Sequence, residues 1–235
     1  MDEELFQRAR RRDRQAVEAM LSEFYPLVSR VTLALTGRAD VGSGVVRYVM
    51  KRSLAVLPKW QHAGDPLRWY SHHTVISTRR AAKHQPTLNN DTLRGRQPQA
   101  KYMAFVTALR DLQVQQREAL ILHDCEGLDL RQTAVAMDCS TEAAGNHLQA
   151  ARQQLGLIAG PDFEKLSAAL KRTYQGLTPP EDLRLPAVRR QVGRYFWPRR
   201  VKKALKVLVL LAVLVALYWA ASTFGLIPEP YRIAR

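Results

Sequence analysis

The stretch LDLRQTAVAMDCSTEAAGNHLQAARQQL, Leu128–Leu155, decides how the chain is read. Apolar residues recur at three- and four-residue spacings on both sides of a short polar break, which predicts two helices joined by a tight turn. Ala134 supplies a small residue where the two helices would touch. Asp138 stands where the turn needs a left-handed backbone, which Asp tolerates better than most residues. Met137, Cys139, Ala144, Leu148 and Ala151 place apolar side chains around the turn. Ser140 suits an N-cap, and Glu142 suits the positive end of the second helix. The pattern fits a helix-turn-helix. It also fits a plain helical hairpin with the same packing.

Helical spacing continues outward. Residues 102–160 read as helical throughout, with MAFVTALRDL and VQQREALILHDCEG ahead of the opening stretch. QPTLNNDTLRGRQPQA is rich in Pro, Asn, Gln and Gly and predicts a linker over residues 85–101. Before it, residues 4–36 carry helical periodicity with a polar gap at Arg10–Arg14, and Pro26 is expected to open a second helix. A third helix is expected from Val45 to Leu57, and a fourth over LRWYSHHTVISTRRAAKH. TPPEDL, with Thr178 as N-cap, predicts a further helix start. There are no alternating β-runs and no internal repeat, so the expected class is all-α.

Thirty-six Lys and Arg against 21 Asp and Glu give 235 residues a formal net charge of +15. Such a balance favours an anionic partner, nucleic acid or an anionic lipid surface. Cys125 and Cys139 are too few for a disulfide framework and form no CxxC pair. His123 and Cys125 alone do not make a metal site. His72 and His73 are adjacent on a helix and point to different faces. No Gly-rich phosphate loop, HExxH or nucleophile motif is present, so neither an enzyme nor a cofactor or metal is expected.

The C-terminal part changes character. Val207–Ile227, VLVLLAVLVALYWAASTFGLI, runs 21 residues without a charge, about 30 Å as a helix. Eight Lys and Arg lie between 189 and 206, and only Arg232 and Arg235 follow the run. The expectation is one transmembrane helix over 204–227, with the preceding body and N-terminus in the cytoplasm at the inner membrane and an external tail over 228–235. The basic segment 161–203 would attract anionic lipid or simply set the topology.

ALRDLQVQQREALILHDCEGLDLRQTAVAMDCSTEAAGNHLQAARQQL resembles region 4 of the extracytoplasmic-function sigma factors of bacterial RNA polymerase. The likeness is carried by Ala108, Leu109, Leu112, Arg117–Leu120, Glu126–Leu128, Ala134, Ser140, Leu148, Ala151 and Arg152. The N-terminal part is similar to region 2 of that family through Arg8, Ala9, Arg10, Asp13, Pro26, Leu35–Gly37, Leu57, Pro58, Trp69, Arg79 and Arg80. The resemblance implies two small helical domains, a region 2-like bundle over 1–84 and a region 4-like helix-turn-helix over 102–160.

It also implies partners: polymerase core, promoter DNA at the −10 and −35 elements, and an anti-sigma or membrane partner protein. In the region 4-like part, Asn146 and Gln149 can pair with adenine edges, Arg131 and Arg152 can hold phosphates, and Thr141 and His147 share the reading helix. In the region 2-like part, Trp60, Trp69 and Tyr70 offer surfaces for unstacked bases, and Arg68, Arg79, Arg80 and Lys83 offer cations for phosphates. Core packing is the competing reading for both tryptophans. Asp40 and Arg47 mark the expected polymerase-contacting helix.

Two departures from the family pattern stand out. The acidic run that follows Asp40 in the family is replaced by Gly42, Ser43, Gly44 and Arg47, and the reading helix carries Gly145 and His147 where the family has basic residues. The expected function is a membrane-tethered sigma factor. The alternative is a sigma-like regulatory protein at the membrane that no longer initiates transcription.

Overall fold

In a computed structural model of the chain, residues 1–82, 91–94, 99–179, 186, 190 and 199–223 are described. They contain ten α-helices and no strand. The chain divides into two units, Met1–Val192 and Gly193–Arg235.

The first unit opens with α1 (Glu3–Arg10) and α2 (Arg14–Thr36). The break between them falls in the polar gap, where Arg12 takes a left-handed φ of 65° and the Asp13 carboxylate accepts from the Ala16 N–H to cap α2. Pro26 does not open a helix, as the sequence suggested, but lies inside α2. An interior proline costs about 3 kcal/mol. Here Phe24, Tyr25, Leu27 and Val28 are buried on both sides of it, and their burial, worth ~1.5–3 kcal/mol per large side chain, holds the helix through the defect.

Gly37 ends α2 with φ 67°, and a Cβ there would lie 3.1 Å from both the Arg110 guanidinium and the Asp91 carboxylate. The position therefore needs glycine for its backbone and for the close approach of that ion pair. Helix α3 (Ala39–Val56) starts earlier than its apolar spacing indicated. Gly42 lets it approach α2, since a Cβ would meet Leu33 at 3.0 Å. Helix α4 (Asp65–Ala82) packs across α2 and α3, with Tyr70 stacked on Phe24 at 4.8 Å.

Helices α5 (Ala100–Asp111), α6 (Val114–Leu120, continued by a π-turn over Ile121–Cys125), α7 (Leu130–Met137) and α8 (Thr141–Ala159) form the second bundle, and α9 (Phe163–Gln175) closes over it. The expected linker is partly embedded. Leu93 is fully buried, the Thr92 hydroxyl donates to the Leu33 carbonyl at 2.7 Å, and Tyr102 donates to the Leu93 carbonyl at 2.8 Å. The expected helix start at TPPEDL runs from Thr178 into 180–183, which lie outside the described residues.

The second unit contains α10 (Arg199–Thr223). The expected transmembrane helix over 204–227, and with it the inner-membrane placement, is corrected: among the described residues no helix is long and apolar enough to cross a membrane. The charge-free part of α10 is Val207–Thr223, about 26 Å at 1.5 Å per residue. That falls short of a hydrocarbon core of about 30 Å. The rest of the expected span and the tail lie outside the described residues.

Backbone amides hold the Asp13 and Asp65 carboxylates below the usual range, Asp13 through Ala16 and Asp65 through His62 and Gln61. Lowered folded values add stability that is present above the unfolded value near 4 and lost as pH falls through the folded one. Asp13→Ala should therefore lower the urea midpoint at neutral pH, and the deficit should shrink as pH falls through the carboxylate range.

Candidate nucleic-acid interface

The turn between α7 and α8 forms as its residue types require. Asp129 caps α7 in a capping box with Gln132 (2.7 and 3.0 Å). Asp138 takes the left-handed conformation, φ 61° and ψ 51°. The Ser140 hydroxyl accepts from the Ala143 N–H at 3.1 Å and caps α8. Ala134, Met137, Ala144, Leu148 and Ala151 are buried, whereas Cys139 is only half-buried.

This capping and packing leave one side of α8 to solvent. Thr141, Asn146, Gln149 and Arg152 are exposed, as is Arg131 on α7, and His147 is half-buried. Arg152 is bound through two hydrogen bonds to Asp124, at 2.5 and 3.0 Å, which raises its already high pKa. It would have to leave that carboxylate to hold a phosphate. Gly145 is not required by packing, because a Cβ there would meet Leu130 at an ordinary 3.6 Å.

The residues read for the region 2-like surface divide. Tyr70 is fully buried, and burial holds its phenol protonated. Trp60 is 6 % exposed and meets Trp69 edge-on at 5.7 Å. Trp69 is half-buried and stacked on His73 at 4.1 Å. Burial, together with the neighbouring His72, lowers the His73 pKa. Arg68 and Arg80 are exposed, and Lys83 lies outside the described residues. Arg68, Trp69 and His72 face Asp138 and Cys139 across a cleft of about 480 Å³ between α4 and the α7–α8 turn. Asp40 is exposed and paired with Arg38 at 2.5 Å, which brings its carboxyl down to about 2; Arg47 is exposed further along α3.

Arg79 does not face solvent freely. Its Nε and Nη2 donate to both Glu118 oxygens at 2.7 and 2.6 Å, and Nη2 also donates to the Met137 carbonyl at the end of α7, at 2.9 Å. The Glu118 side chain is 2 % exposed. Burial raises its pKa, and Arg79 opposes that rise. A second tie joins Arg30 of α2 to both Glu126 oxygens at 3.0–3.2 Å, and the Tyr174 hydroxyl of α9 donates to the same carboxylate at 2.5 Å. A third joins Arg110 to Asp91 and to the Ala34 carbonyl, the latter at 2.6 Å.

Sequence reading passed over Arg30, Asp91, Arg110, Glu118, Glu126 and Tyr174 as functional positions. The available signal was an acid, Glu118, set immediately before the apolar run ALIL (Ala119–Leu122). Among the described residues no group of three or more His, Cys, Asp or Glu is arranged to hold a metal ion.

Residues 102–155 match the family described as Sigma-70, region 4. That segment covers α5 to most of α8 and supports a sigma-factor-like role in DNA binding and transcription, in a family that is not enzymatic. No curated protein and no solved structure matches the chain significantly.

Gly145→Ala should stabilise the protein by about 0.5–1 kcal/mol. A higher urea midpoint with an unchanged slope would confirm that α8 has room for the methyl group.

Proposed function

We propose that the chain is a sigma-type transcription factor in which α8 reads duplex DNA and the helical body over 1–82 engages polymerase core and the opened strand. The observation that carries this is the open face of α8, with Asn146 and Gln149 exposed on a helix-turn-helix that matches Sigma-70, region 4. Each amide can make a paired hydrogen bond to an adenine edge in the major groove, worth ~1–3 kcal/mol of discrimination. Arg131 and Arg152 flank them as phosphate contacts. Few cations lie on this face, so the salt dependence should be shallow, with a log–log slope of about −2 for two phosphates neutralised.

The second reading, a sigma-like regulator that does not initiate transcription, draws support from the burial of Trp60 and Tyr70 and from the glycines that follow Asp40. Gly42 has a packing role, since a Cβ there would lie 3.0 Å from Leu33. Asp40 and Arg47 are among the exposed residues of α3 that could face polymerase.

Mixing the full chain with bacterial core polymerase at near-physiological salt separates the two. Co-elution weakened at least tenfold by Asp40→Arg is expected for the sigma factor. A folded, helical chain that never co-elutes would establish the regulator instead.

A further inference from the structure

Two concavities adjoin along α4. One is the cleft of about 480 Å³ beside Trp69. The other, of about 280 Å³, lies between the first turns of α4 and α7 and shares Arg68 and Val135 with the first. They are the two ends of one groove, and the larger end alone has the size of a small-molecule site, about 300–1,000 Å³.

The end at α7 is cationic. Arg68 and Arg131 line it from two different helices, and both are exposed. The acids nearest in sequence are already engaged. Asp65 accepts from the Gln61 and His62 N–H groups at 2.7 and 3.0 Å, and Asp129 accepts from the Gln132 N–H at 2.7 Å. These amides, and after them the Arg68 charge, hold the Asp65 carboxyl low, yet among the described residues neither arginine is hydrogen-bonded to a carboxylate. Gln132 gives its side-chain oxygen to the Asp129 N–H at 3.0 Å, which leaves its amide N–H groups to the groove. Two guanidiniums and an amide are donors without an acceptor, a set that matches phosphate oxygens. Two like charges placed together also repel unless an anion lies between them.

The end at Trp69 differs. Trp60, Trp69 and His72 wall it, and it carries the carboxylates of Asp65 and Asp138. Aromatic walls take a flat ring by stacking. Asp138 is exposed and its carboxylate accepts no hydrogen bond among the described residues, so an amino group on that ring would supply one. The groove therefore asks for a ligand that is anionic at one end and a flat, amino-bearing ring at the other.

We propose that the groove binds a nucleoside phosphate, its phosphates on Arg68, Arg131 and Gln132 and its base against Trp69 and beside Asp138. A free nucleotide fits better than a strand, because Asp65 and Asp138 would repel a further phosphate beyond the base. The site stands whether or not α8 reads DNA. Where α8 does, the ligand competes with nucleic acid, since it takes Arg131 from the duplex and Arg68 from the opened strand.

Isothermal titration calorimetry of the full chain with metal-free nucleotides tests the site. Cytidine triphosphate should bind one to one, more tightly than tripolyphosphate or cytidine by about tenfold or more. Arg68→Gln/Arg131→Gln, at two exposed positions, should weaken it by a similar factor while the chain stays helical. Cytidine and uridine triphosphates differ by an amino group against a carbonyl. The parent should prefer cytidine, and Asp138→Asn, which suits the left-handed turn, should lose that preference. Tripolyphosphate binding as tightly as the nucleotides would reduce the effect to charge attraction and overturn the proposal. So would nucleotide binding that is absent, that ignores the double substitution, or that keeps its preference in Asp138→Asn. A single-stranded oligonucleotide that binds through the same arginines while the nucleotides do not would overturn it as well and assign the groove to the opened strand. None of these failures bears on duplex reading by Asn146 and Gln149.

Discussion

The packing of the two bundles depends on a carboxylate with nowhere else to go. Glu118 lies in helix α6, just before the apolar run Ala119–Leu122, almost wholly out of water. A buried charge is tolerable only when it is paired and hydrogen-bonded. Arg79 meets both requirements and reaches on to the Met137 carbonyl, an acceptor left unpaired by the end of α7. Replacing either partner alone leaves the other charge uncompensated, a loss of about 3–5 kcal/mol in such sites. Replacing both by apolar groups of similar size is often neutral. The pair therefore does more to specify how the bundles meet than to stabilise either one.

The same constraint explains where sequence reading succeeded and where it stopped. The helix-turn-helix was legible because its signals are local: Asp138 in the left-handed turn, Ser140 as cap, and Ala134 at the crossing. The break after α1 was marked by the polar gap, but Pro26 misled, because burial along α2 outweighs a single lost hydrogen bond. Trp60 could be read two ways from its loop; only packing against Trp69 and Tyr70 decides for the core. Arg79 read as a phosphate contact because a cation in sequence carries no sign of its partner, here 39 residues away. Partners separated by tens of residues are set by tertiary packing, which periodicity does not encode. The run from Val207 read as a membrane span by its length and flanking charges, yet among the described residues no helix is long and apolar enough to cross a membrane.

Charge and function meet at α8. A net charge of +15 draws the chain toward polyanions, but the reading helix itself carries few cations: Arg152 is held by Asp124, and Gly145 and His147 stand in its middle. On the proposed reading, recognition relies on the exposed amides of Asn146 and Gln149 more than on phosphate attraction.

Selection of binding sites by the full chain from a random duplex pool tests that claim most directly. Enrichment of a short motif containing adenines, lost when Asn146→Ala and Gln149→Ala are combined and retained when Arg80→Ala is made alone, is the expected result. A pool that stays random, or a motif indifferent to the double substitution, would contradict a reading role for α8.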